Sequence, residues 1–115
     1  MTSGKGLGRT ISKYNNKKVN GFDSLREMAR YQDLQLMERA GKIQGLERQV
    51  RFDLIPNQYD DNGKLVYRGI YYKADFTYRK DHQYIVEDCK GFRTKEYQIK
   101  KKLMYYFHRI KIRET

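Results

Sequence analysis

The sequence has one cysteine, one proline and no tryptophan in 115 residues. The single cysteine, Cys89, excludes an intrachain disulfide framework and a Cys-rich zinc site. Long apolar runs are missing as well. None approaches the ~18–20 residues that span a bilayer, so no membrane-spanning segment is expected. Met1 to Gly21 has no apolar core segment, and no secretory signal is expected from it. Acid is the scarce charge: 14 Asp and Glu stand against 25 Lys and Arg, a formal net charge of +11.

A chain of this length makes one domain and buries roughly two-thirds of its unfolded surface. Disorder throughout is excluded by an aromatic content of 14% and by patterned apolar residues. The basic excess attracts polyanions, DNA or RNA first and an anionic membrane second. Residues 1–14 read as a flexible basic arm, because Met1 to Gly21 holds Lys5, Arg9, Lys13, Lys17 and Lys18 and no acid. Residues 15–115 read as a single domain.

Ser24 or Asp23 can cap a helix, and Ser24 to Glu27 has capping-box spacing, which predicts a helix from about Ser24 to Ala40 closed by Gly41. Leu25, Ala29, Leu36 and Ala40 recur on one face, which is the expected buried stripe. Leu46 to Ile55 alternates at strand period and stops at the sole proline, Pro56. Asp60-Asp61-Asn62-Gly63 is a turn signal. Leu65 to Tyr78 and Gln83 to Cys89 read as two more strands around a polar hairpin loop, Arg79 to His82. A second helix is expected from about Thr94 to Phe107, with Thr94 as N-cap and Ile99, Leu103, Tyr106 and Phe107 as its apolar side. Arg109 to Arg113 alternates and reads as a final strand. The fold class is therefore α/β, with the order helix, three antiparallel strands, helix, strand and a mixed sheet of about four strands.

Three places carry candidate chemistry. Asp75 stands inside a β-forming run, where aspartate is disfavoured. Asp88 and Lys90 are two apart at the end of the next strand and so share a face. Glu27 opens the first helix. Hairpin pairing that brings Asp75 beside Asp88 sets like charges together, which requires a cation or a lysine between them. Two or three such carboxylates supply the hard oxygen ligands that Mg²⁺ takes, and Mg²⁺ beside a phosphate serves phosphodiester hydrolysis. Lys90 would orient or deprotonate the attacking water. Singly, each residue also has a bland reading: a strand acid, an exposed ion pair, a helix cap.

The order of elements, with Asp75 and then Asp88-Cys89-Lys90, resembles the restriction-endonuclease-like core of the PD-(D/E)XK nuclease superfamily, which includes Holliday-junction resolvases. Phe22-Asp23-Ser24…Glu27, Leu46-Glu47-Arg48-Gln49-Val50, Tyr72-Lys73-Ala74-Asp75-Phe76 and Val86-Glu87-Asp88-Cys89-Lys90-Gly91-Phe92…Thr94…Tyr97 are similar to a small family of phage and prophage proteins of uncharacterised function. The resemblance covers about Lys13 to Arg113. It implies Asp75, Asp88 and Glu27 as metal-binding acids, Lys90 as catalytic lysine, and Mg²⁺ as cofactor with Mn²⁺ as substitute. It implies a DNA endonuclease, structure-selective for branched DNA or Holliday junctions, acting in phage DNA recombination or processing as a homodimer in the bacterial host cytoplasm. Ala74 departs from the superfamily's proline before the first acid. Glu87 competes with Asp88 as the second acid; an ideal strand turns it to the opposite face, and a bulge would reverse that.

Thr94, Tyr97, Lys100 and Lys101 are the candidate nucleic-acid contacts, set against a capping residue, a core aromatic and a solvated helix face. The alternative to an enzyme is a non-catalytic, basic DNA-binding accessory protein. RNA binding through the arm and the tyrosines is a weaker third reading. Both binding readings leave Asp75, Asp88 and Lys90 without a role.

Overall fold

The computed structural model describes residues 21–89 and 93–115. The expected basic arm, Lys90 and Gly91 lie outside the described residues. Helix α1 spans Leu25–Arg39, and the Ser24 hydroxyl accepts the Glu27 N–H at 3.1 Å. The strands are β1 (Gln44–Ile55), β2 (Gln58–Tyr59), β3 (Leu65–Tyr67), β4 (Ile70–Lys80), β5 (Gln83–Asp88) and β6 (Arg113–Glu114), with α2 (Lys95–His108) before the last. The main sheet has the order β1-β4-β5-β6. Its first three strands are antiparallel, and β6 runs parallel to β5. This is the mixed four-stranded α/β core expected from the sequence.

Two strands differ from expectation. The run Leu65 to Tyr78 is cut at Arg68-Gly69, and β3 pairs only with β2 in a separate two-stranded sheet. Glycine is needed at this point, because a Cβ on residue 69 would sit 2.3 Å from the Ile55 carbonyl oxygen. The last strand is shorter than the alternation of Arg109 to Arg113 predicts. Arg109 caps α2 in a left-handed conformation, and only Arg113 and Glu114 pair with β5. The β4–β5 hairpin turns on Asp81 and His82, both at positive φ.

The helices lie on opposite faces. Adjacent residues of β5 show this, because Glu87 bonds Arg30 of α1 while Asp88 bonds Tyr72 on the α2 side. Phe52, Leu54, Tyr72 and Ala74 pack with Tyr97 and Met104 of α2. Leu46, Phe76 and Tyr78 pack with Leu34 of α1. The β1 and β4 residues named in these two clusters are all even-numbered, so strict alternation would put them on one face. Alternation therefore breaks at one level of the sheet, between Ala74 and Phe76 in β4. In the opposing strand that level is Gln49, whose φ of 55° is left-handed.

The helix faces also differ from expectation. Leu25 and Leu36 are 64% and 57% exposed, and Ala29 and Ala40 are exposed too. The inward stripe of α1 is the buried Glu27 and Leu34 with the half-buried Tyr31, and Arg30 lies beside it. Its charged members are paired to partners elsewhere in the chain, which hides the stripe from a hydropathy pattern. In α2 the buried residues are Tyr97 and Met104, whereas Ile99, Tyr106 and Phe107 face outward.

Candidate active site

The break in β4 is where Asp75 sits. Its Oδ2 accepts the Cys89 N–H at 2.8 Å. Cys89 lies between Asp88 and Lys90, so Asp75 is tied to the Asp-x-Lys segment itself. One step beyond the Phe76–Glu87 pair, the antiparallel register sets Asp75 opposite Asp88.

Asp88 is buried, and its Oδ2 accepts the Tyr72 hydroxyl at 2.5 Å. Burial raises the Tyr72 hydroxyl well above its ordinary range, and the charges of Asp88 and Asp75 raise it further. Tyr72 thus stays a proton donor, and both carboxylates act on one hydroxyl.

Glu27 is also buried, at the first turn of α1, where its Oε2 accepts Gln49 Nε2 at 3.0 Å. Burial, and then the charge of Asp23, push its carboxyl above the ordinary glutamate value. The left-handed backbone of Gln49 turns this amide toward α1. Glu27, Gln49 and Asp75 thus follow one another at the level where the sheet alternation breaks.

Glu87 has a different place. It is fully buried on the α1 face and takes a two-pronged ion pair from Arg30, at 2.9 and 2.7 Å, together with the Tyr78 hydroxyl. Burial alone would raise its carboxyl; Arg30 and Tyr78 outweigh it and hold the group below its usual value. The same contact, after burial, lifts the Tyr78 hydroxyl to about 12. Glu87 therefore fastens α1 to the sheet, and the bulge that would have exchanged it with Asp88 is not formed in the paired part of β5.

The expected nucleic-acid contacts separate into two groups. Thr94 caps α2, its hydroxyl accepting the Tyr97 N–H at 3.0 Å. Tyr97 is 5% exposed, and its hydroxyl donates to Glu114 at 2.8 Å. Lys101 and Arg93 bond the same carboxylate at 3.0 and 2.9 Å. Lys101 foremost, with Tyr97 and Arg93, holds Glu114 down to about 2. Lys100 pairs with Glu96 at 2.9 Å and stands 5.6 Å from the centre of the Tyr71 ring. Thr94 and Tyr97 thus serve the fold, and Lys100 and Lys101 stay closer to the surface.

A groove of about 930 Å³ runs between the start of β4 and the first half of α2, bordered by Tyr71, Tyr72, Lys73, Tyr97 and Lys100. Tyr72 connects its wall to Asp88. Among the described residues, no three or more His, Cys, Asp or Glu side chains are grouped so as to hold a metal ion. Glu27, Asp75 and Asp88 share a region of the sheet without closing around one ion-sized space. The sequence assigns no role to Tyr72, Gln49, Arg30 or Glu114, since each gains its role from a partner distant in the chain. The one local signal was Tyr72, three residues before Asp75 in an apolar run.

Fold and site together define a small α/β protein with acids buried where the two central strands meet. The chain belongs to the family described as "Protein of unknown function (DUF1064)", which it matches over residues 11–114. Searches of curated proteins and of solved structures gave no match. Among the described residues, no helix is long and apolar enough to cross a membrane.

Proposed function

We propose that this chain is a Mg²⁺-dependent DNA endonuclease of the PD-(D/E)XK kind, a phosphodiester hydrolase that also accepts Mn²⁺. The observation that carries this reading is the hydrogen bond from Cys89 N–H to Asp75, which joins the acid of one central strand to the Asp-x-Lys segment of the next. Asp75 and Asp88 would hold the metal, with Glu27 added to its shell. The donor set is all carboxylate, which suits a hard cation that keeps several waters. When bound, the metal polarises the phosphoryl oxygen and stabilises the leaving oxygen.

The chain's own residues do the rest. Tyr72 holds Asp88 in one orientation. Gln49 holds Glu27 toward the sheet. Arg30 and Tyr78 neutralise Glu87, so that its charge does not add to the acidic site. Lys90 would orient or deprotonate the attacking water. The groove beside Tyr72, with Lys73 and Lys100 on its border, offers a path for a phosphate backbone. Branched DNA such as a Holliday junction, in phage recombination or processing, is the substrate class that the superfamily resemblance favours.

The experiment is cleavage of duplex, nicked, flapped and four-way-junction DNA with Mg²⁺ or Mn²⁺, against EDTA. Asp75→Ala, Asp88→Ala and Lys90→Ala should each lower cleavage by about 10²-fold or more while DNA binding persists. Wild-type cleavage by all three would overturn the proposal. One observation favours a second reading, a DNA-binding accessory protein: the carboxylates do not close around one ion-sized space. Binding without cutting on every substrate would establish that alternative.

A further inference from the structure

The chain leaves the main sheet at Ile55 and returns to it at Ile70. Every residue from Pro56 to Arg68 is exposed, and β2 and β3 pair only with each other. This arm nonetheless carries Tyr59, Leu65, Val66 and Tyr67, each at least 40% exposed. A two-stranded ribbon alone is marginal in water, and clustered exposed apolar groups mark a surface that is covered in the working protein.

Charge indicates what covers it. The tip of the arm is Asp60-Asp61, two acids in a chain of net charge +11. An acidic tip is repelled by a phosphate backbone and attracted to a basic surface. The outer face of α2 is such a surface. Lys95, Ile99, Lys102 and Tyr106 recur there at helical spacing, all exposed, with Phe107 and Arg109 adjoining. Ile70 at the arm's root and Ile99 of α2 border the same groove, so the two patches are neighbours on one molecule. Two adjacent patches that complement each other in charge and are both apolar satisfy a two-fold axis, since each copy then offers both halves of the contact.

We propose that the β2–β3 arm of one copy lies along the outer face of α2 in a second copy, and reciprocally, with Asp60 and Asp61 meeting the lysines of that helix. About seven large apolar side chains per copy would be covered, which gives several hundred Å² and is of the order of the ~800 Å² per partner in a standard interface. The proposal does not depend on nuclease activity, because the mass of the particle tests it.

Light scattering on the full chain at about 50 μM should give twice the 13.9 kDa mass of one copy. Tyr67→Asp and Tyr106→Asp should each weaken the dimer about tenfold or more. Both side chains lie outside the two core clusters, so circular dichroism should stay unchanged. Asp61→Lys should weaken the dimer, and Lys102→Glu in the same chain should restore it. A monomeric wild type overturns the proposal, as does a dimer untouched by all four substitutions. A wild-type monomer whose DNA affinity falls on Tyr67→Asp would make DNA the occupant of the arm and overturn it equally.

Discussion

A carboxylate buried beside another needs a cation, a proton or a strong donor, and the acids of this chain satisfy that need in different ways. Glu87 uses Arg30. Arg30→Ala would leave it buried without its cation, and should cost about 3 kcal/mol in urea unfolding at pH 7. The Glu87 value is depressed in the folded state, so its contribution is present above the ordinary 4.5 and is lost as pH falls through the folded value. The cost of Arg30→Ala should accordingly shrink in acid. Glu27 has the opposite sign. Its folded value is raised, so ionisation above that value works against folding. Glu27→Gln should raise the melting temperature at pH 7, and the gain should vanish below about pH 4.5. Mg²⁺ should stabilise the wild type by mass action and stabilise Asp75→Asn or Asp88→Asn less. Asp75 and Glu27 were legible in the sequence because an acid inside a β-forming run or at a helix start stands out. Gln49 and Tyr72 were not, because nothing in their neighbours signals a bond to Glu27 or Asp88.

Turns and caps decide the elements. Asp81 and His82 both occupy the left-handed region, which suits Asn-Gly better. Asp81→Asn with His82→Gly should add about 1 kcal/mol to stability. Gly69 is constrained by backbone rather than by φ, so Gly69→Ala should cost about 2–3 kcal/mol, read by thermal unfolding. The caps Ser24 and Thr94 were readable in advance, since capping is local chemistry. The helix faces were not. Apolar spacing favoured Leu25 and Leu36 in α1, yet the inward stripe carries Glu27 and Arg30, which look like surface residues until their partners Gln49 and Glu87 are in place.

For the whole molecule, the net charge of +11 is divided unevenly. Of the acids that define the candidate site, Glu27 and Asp88 are buried and Asp75 is half-buried, while Lys73 and Lys100 border the open groove. DNA affinity should therefore depend on counterion release, falling about 10³-fold between 50 and 200 mM salt if about six phosphates are contacted. Asp75→Ala and Asp88→Ala should keep that salt dependence while losing cleavage, which separates the binding surface from the site.

The sequence by itself determined the two helices and their caps, the order of helices and main-sheet strands, and the meeting of Asp75 with an Asp-x-Lys segment. These follow from period, local hydrogen bonding and turn chemistry, all of which act within a few residues. Tertiary structure alone decided which helix faces are buried and that Glu87 is bound to Arg30. It also decided that β3 leaves the sheet at Gly69 and that alternation breaks at Gln49 and Asp75. Each of these depends on a partner far along the chain: a charged residue turns inward only where a counter-charge, as for Glu87, or a hydrogen-bond donor, as for Glu27, is there to meet it.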